Sequence, residues 1–466
     1  AEITVTKPGE IHLDEYDAIT LKSIITFDGR VNVAAGVNGK DLNQSDNTKG
    51  ITVGTITAGK GGDVTLVAGS IIDEDGDSDT RVSGGSLIVN ASGSISLDTN
   101  VRSLSATASL GRSIYIDESD DIVIEYMEAE GGNINLSAGG DVVGASMQLV
   151  DVNASTLAIS AGGAIMIDTQ IDTGRFSTTL PGDIQINEID SIILDYVLTA
   201  NGRIEFEAGG SMTASFVTSS RDDGNNDINL STINGNITLG TLMAGHNNDV
   251  NLKAAGAIID DGTISVEVAA DALIAVASGP ITIDTQVNTV DIITTGAGDI
   301  NMDETDDVTL TRVIAVDGGI TVTAGGTLKV TLASPSSNYE LKLDSIPFDF
   351  SKRGYIFWPQ ASSGSAKLIG KVEYDFSKKS STINRAAKKS TKVSIREPNS
   401  RPGPSRPSGL KYLPENTPVH HKDINTDGLP LIGVVQAEIQ TNETQKNYRF
   451  DIGNGLKSSV RIMLGK

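Results

Sequence analysis

The sequence predicts an all-β chain that coils as a parallel β-solenoid and ends in a smaller β-rich module. Three observations predict it: long segments of residues 1–335 repeat one another, apolar and polar residues alternate in short runs punctuated by Gly, and no run carries a helical period. Only 4% of the 466 residues are aromatic and Cys is absent, which excludes a disulfide framework and any cysteine-ligated metal site.

The first repeated element is two short strands around an acidic corner. It begins at Glu10 (Glu-Ile-His-Leu-Asp-Glu-Tyr-Asp-Ala-Ile-Thr-Leu), with near copies at Ser113, Asp183 and Asp299. The second, Ile51-Thr-Val-Gly-Thr-Ile-Thr-Ala-Gly through Asp63-Val-Thr-Leu to Ile71-Ile-Asp, returns at Ile237, Asp249 and Ile258. The offset from 51 to 237 and from 113 to 299 is 186, whereas from 10 to 183 it is 173, so a duplicated block (about 10–182 and 183–335) carries an insertion, placed at 219–227. Within each block an Ile/Leu-Asp-Thr-Gln/Asn turn has its Asp at Asp98, Asp168 and Asp284, and the corner follows 19 residues later at Asp117, Asn187 and Asp303. Two strands with their turns therefore make a rung of about 20 residues, and residues 1–335 make on the order of 16 rungs. Tandem β-sandwiches are the competing architecture, but they favour aromatic-rich cores, and residues 1–335 hold eight aromatics.

Strings such as Gly298-Asp-Ile-Asn-Met-Asp-Glu-Thr-Asp-Asp-Val-Thr-Leu and Gly318-Gly-Ile-Thr-Val-Thr-Ala-Gly-Gly-Thr-Leu, with the 19-residue period, resemble the repeats of filamentous-haemagglutinin-like exoproteins and giant repetitive bacterial surface proteins. The resemblance covers residues 1–335. It implies a right-handed parallel β-helix, export to the bacterial cell surface, and a role in adhesion or a surface layer.

The recurrent acidic corners are Asp14, Glu15 and Asp17; Asp117, Glu118, Asp120 and Asp121; Glu188 and Asp190; and Asp303, Glu304, Asp306 and Asp307. Their simplest role is charge displayed outward, which keeps a long β surface from pairing edge to edge, with weak cation binding as a second reading. Two other segments have the spacing of calcium loops. Asp73, Asp75, Asp77 and Asp79 place carboxylates on alternate positions around Gly76, where they can converge on a hard cation that takes six to eight oxygens. Asp423, Asn425 and Asp427 followed by Gly428 reproduce the start of an EF-hand-type loop, although Val434 stands where its closing Glu is expected. Both are candidates for Ca²⁺ and are otherwise acidic or Asx-rich turns.

Gly54 to Gly61 nearly spells a phosphate loop, but Gly61 replaces the magnesium-binding hydroxyl and the copy at 240–247 carries His246 in place of Lys60, so both are read as corners. No Gly-x-Ser-x-Gly elbow or His-x-x-x-His pair occurs, and residues 1–335 hold 15 basic against 48 acidic side chains. We assign no catalytic or cofactor-binding residue and read the chain as non-enzymatic, with a β-helical polysaccharide lyase or hydrolase as the remotest alternative.

Residues 336–466 are a different material: a basic, Pro-rich β module with an irregular stretch at 377–411 and an aromatic run, Tyr355 to Trp358. The net charge of −24 divides into −33 (15 basic, 48 acidic) before residue 336 and +9 (21 basic, 12 acidic) after it. The acidic excess opposes nucleic-acid binding, and no stretch is long and apolar enough to span a membrane. The division suggests self-association, head to tail, with the basic module of one copy on the acidic solenoid of the next; an acidic glycan or cell-wall polymer is the other partner that fits. The sequence thus reads as an extracellular structural protein, a subunit of a self-assembling surface fibre, matrix or surface layer, with a glycan-binding adhesin as the alternative.

Overall fold

The structure, a computed structural model, describes residues 1–7, 9–36, 49–73, 81–109, 111–145, 150–262 and 266–331, together with the backbone of the strands Glu340–Asp344, Ser365–Asp375, Leu410–Lys411, Val434–Gln440, Gln445–Asp451 and Lys457–Met463. It is all-β, without a helix among the described residues, and its parallel strands form a β-solenoid of about 15 turns. The chain divides into two compact units, Ala1–Ala255 with Asp261–Ile264, and Gly256–Asp260 with Ser265–Lys466.

In the first unit, period-two alternation turns every second side chain inward, and parallel pairing sets like on like. One ladder runs Ile19, Ile51, Ile71, Ile95, Ile114, Ile134, Leu157, each paired with the next. A second runs Val142, Ile165, Ile184, Ile204, Ile228, Val250. Every member except Ile19 is fully buried, and full burial of such a side chain is worth about 1.5–3 kcal/mol, so the ladders supply the main apolar stabilisation of the coil. The inserted loop after Met212–Ser219 is fastened by Asn248, whose Nδ2 donates to the Ala244 carbonyl (2.8 Å) and to Asp222 (3.2 Å), and whose Oδ1 accepts from the Asn226 amide (3.0 Å).

At Gly174 the ladder is interrupted to admit an aromatic. Leu157 pairs with Gly174, where a Cβ would stand 2.4 Å from Cε2 of Phe176. The absent side chain makes room for that fully buried ring, which packs on Phe206 with 5.6 Å between centroids.

In the second unit a ladder of the same kind runs Ile258, Ile281, Ile300, Ile320 and passes on to Ala366, so that Ser365–Asp375 stacks in parallel on Ile320–Thr331. Glu340–Asp344 pairs in parallel with Ser365–Asp375 and with Lys457–Met463. Pairing then changes type: Val434–Gln440, Gln445–Asp451 and Lys457–Met463 form an antiparallel meander.

Gly174→Ala is expected to lower stability by about 1–3 kcal/mol through overpacking against Phe176. Adding Phe176→Leu should recover part of that loss, whereas equal unfolding midpoints in urea for wild type and Gly174→Ala would refute this account of the glycine.

Candidate functional site

The acidic corners are the most distinctive polar feature of the solenoid, and their strands explain their geometry. In Ile114–Glu118, Ile184–Glu188 and Ile300–Glu304 the first, third and fifth residues face inward, so the Glu shares a face with two aliphatic side chains. Glu118, Glu188 and Glu304 are accordingly only 1%, 4% and 4% exposed, which corrects the expectation that the corner charge is all displayed outward. Glu15, in the earliest copy, is exposed and its Oε1 accepts from the Tyr16 amide at 2.9 Å.

Each buried Glu lies in register with the Thr of the Asp-Thr turn 19 residues earlier: Thr99 with Glu118, Thr169 with Glu188, Thr285 with Glu304. The Thr hydroxyl donates to Oε2 at 2.8, 2.9 and 2.8 Å. The amide two residues beyond the Thr, of Val101, Ile171 or Val287, donates to the same oxygen at 3.0 Å each time. Oε1 accepts from the corner's own amide, of Asp120, Asp190 or Asp306, at 3.3, 3.2 and 3.2 Å. The 19-residue spacing seen in the sequence is therefore a hydrogen-bond lock between successive turns. Burial raises the pKa of all three glutamates, against the pull of these donors, and takes Glu188 to about 7.

Exposed aspartates at the corners and at other bends of the coil also join turns. Asp121 Oδ1 accepts from the Asp141 amide at 2.8 Å and Asp141 Oδ1 from the Ala164 amide at 2.7 Å, and the same staple joins Asp299 to Gly319 at 2.6 Å. The next turn crosses each corner with Ala-Gly-Gly, and a Cβ on Gly139, Gly209 or Gly325 would stand 2.1, 2.0 or 2.2 Å from the carbonyl oxygen of Ser119, Ile189 or Thr305. Gly is required there for close backbone approach.

A second recurrent position, held by Arg81, Asp151 and Glu267, lies 17 residues before each Asp of the Asp-Thr turn. The amides of Arg81, Asp151 and Glu267 donate to the carbonyls of Asp98, Asp168 and Asp284 at 2.9, 2.8 and 2.9 Å. Asp151 is 3% exposed, and its Oδ2 accepts from the Asp168 amide at 2.8 Å. Glu267 is 0% exposed, and its Oε2 accepts from the Asp284 amide at 2.6 Å. In both residues the second carboxylate oxygen is buried without a hydrogen-bond partner. Carboxylate oxygens of Asp260, Glu267 and Asp284 lie within 4.8 Å of one another, the one group of three such side chains among the described residues close enough together to hold a metal ion. Burial first, then the Asp260 and Asp284 charges, raises Glu267 to about 7; burial, then Asp303 and Asp260, raises Asp284.

Of the residues expected to bind calcium, Asp73 closes the strand Ile71–Asp73, and Asp75, Asp77, Asp79, Asp423, Asn425 and Asp427 lie outside the described residues, as do Tyr355 to Trp358. Sequence reasoning did not single out Asp260 or Glu267. The signal was present: Glu267 is Arg81 carried forward by the 186-residue offset, a charge reversal at one position of the duplicated block. Compared with known proteins, the chain matches no family model, no curated protein and no solved structure.

The raised pKa of Glu188 has a direct consequence. Because it lies above the ordinary glutamate value of 4.5, its stabilisation is complete below that value and is lost as pH rises through about 7. The unfolding temperature of the wild type should therefore fall relative to that of Glu188→Gln between about pH 5 and pH 8. A difference that stays constant across this range would refute the assignment.

Proposed function

We propose that the protein is a structural component of an extracellular assembly, a subunit of a bacterial surface fibre, matrix or surface layer. The observation that carries this reading is the use of the buried carboxylates. Ionisable groups with shifted pKa values often mark catalytic sites, but Glu118, Glu188 and Glu304 are each engaged by three donors, two of them on the preceding turn. Such a distribution suits a protein whose work is to persist as a regular coil. The repetition of ladder, lock and glycine crossing in both blocks supports the same reading, as does a surface rich in Thr, Ser, Asn and Asp.

The charge division supports self-association. Residues 1–335 carry −33 and residues 336–466 carry +9, so one copy offers a basic surface to the acidic coil of another without being self-complementary at a single patch. A contact of this kind is heterologous and propagates. Its electrostatic part is screened by salt over about 8–10 Å at physiological ionic strength.

The purified chain is expected to form higher oligomers or filaments at low ionic strength, seen by sedimentation velocity and negative-stain microscopy, and to disperse as salt is raised. Reversing the pair Lys388 and Lys389 to Glu should weaken association at low salt. Monomers at every concentration and salt level would overturn the proposal, and turnover of an acidic polysaccharide by the same preparation would favour a β-helical lyase or hydrolase instead.

A further inference from the structure

The structure holds three versions of one local arrangement, and their comparison assigns a ligand to one of them. The strand that ends at Asp73 pairs Ile71 with Ile95; the strand that ends at Gly144 pairs Val142 with Ile165; the strand that ends at Asp260 pairs Ile258 with Ile281. Each partner lies three residues before the Asp of an Asp-Thr turn, so Asp73, Gly144 and Asp260 occupy equivalent positions beside Asp98, Asp168 and Asp284. The third member, fixed by its amide on that Asp carbonyl, is Arg81, Asp151 and Glu267 respectively.

The three sets are thus Asp, Arg, Asp; Gly, Asp, Asp; and Asp, Glu, Asp. In the first, the third position carries a cationic side chain, whose amide bonds the Asp98 carbonyl. In the second, one carboxylate is missing, and Asp151 fills its space: a Cβ on Gly144 would stand 1.8 Å from Asp151 Oδ2. In the third, both flanking carboxylates are kept and the Arg position has itself become Glu. Three carboxylate oxygens converge within 4.8 Å there, and Glu267, wholly buried, presents an oxygen that no protein donor reaches.

We propose that Asp260, Glu267 and Asp284 bind one hard divalent cation, Ca²⁺, which neutralises in the second block the position that Arg81 fills in the first. All-oxygen donors select a hard cation, and calcium accepts irregular sets of six to eight oxygens, so that water and backbone carbonyls complete the shell. Glu267 forms the floor of the site while the half-buried Asp260 and Asp284 leave it open to solvent. The cation would hold Ile258–Asp260 against the turn at Asp284, fixing that part of the second unit.

The test uses the full chain, stripped with chelator and titrated with CaCl₂ or with MgCl₂ by calorimetry, with thermal unfolding in parallel. Wild type is expected to bind one more calcium per chain than Glu267→Gln or Asp284→Asn, or to bind it at least tenfold more tightly, and to gain more thermal stability from calcium than either variant. Glu267→Arg, which copies the first block, should lose that same equivalent and, free of metal, unfold at or above the temperature of metal-free wild type. Reading the difference between wild type and variants separates this site from the other acidic loops, and a single chain's stoichiometry is independent of assembly. Unchanged stoichiometry and affinity in both Glu267→Gln and Asp284→Asn would overturn the proposal, as would tighter binding of magnesium than of calcium at the affected site. If Glu267→Arg fails to fold, the two isosteric variants decide.

Discussion

Parallel stacking in register makes every side chain the neighbour of its counterpart one turn away, and this constraint governs the rest of the structure. For apolar residues it is favourable without further provision, and the Ile, Val and Leu ladders are its direct expression. For charged residues it is costly, because a repeat would set like charge on like. The described residues escape this in several ways. Thr lies under Glu as donor to acceptor. Asn187 donates to Asp168 at 2.8 Å. Arg312 faces Asp291 with two contacts of 2.8 Å. Imperfect repetition is thus a requirement of the polar positions, while near-perfect repetition suits the core.

The buried glutamates show how the coil uses polar groups to fix its register. A shift of one residue would turn Glu118 outward and Asp117 inward, and would separate Thr99 from its acceptor. Aliphatic ladders alone discriminate weakly between registers, since an Ile stacks almost as well on another Ile two residues away. The Thr to Glu bond has one acceptable alignment, and the glycine crossing above the corner has one as well, because any side chain at Gly209 would meet the Ile189 carbonyl. Desolvation of the carboxylate is the cost of this specificity, and three hydrogen bonds offset it only in part, as the upward pKa of Glu188 records.

Much of the fold was legible in the sequence because periodicity survives without knowledge of contacts. The alternation Ile-x-Ile and the 19-residue spacing from Asp98 to Asp117 both correspond to features of the coil. What composition concealed was the direction of the corner glutamates. A Glu beside three Asp residues reads as part of an exposed cluster, yet parity counted from Ile114 places it with the core. Parity is local and reliable in a strand; the hydrophilicity of a residue type is a statistical average that a specific set of donors can override.

The divergence among Arg81, Asp151 and Glu267 follows from the same physics. These positions hold their backbone hydrogen bond to the next turn in all three places, so the fold fixes the main chain and leaves the side chain to answer the charge around it. Where Asp73 and Asp98 flank the position, it is cationic; where Gly144 has withdrawn a carboxylate, an acid fits in the released volume. In the third case Asp260 and Asp284 are retained and Glu267 is added, so three carboxylates converge. On the proposed reading, the calcium ion is the group that meets the buried Glu267 oxygen to which no hydrogen bond is donated.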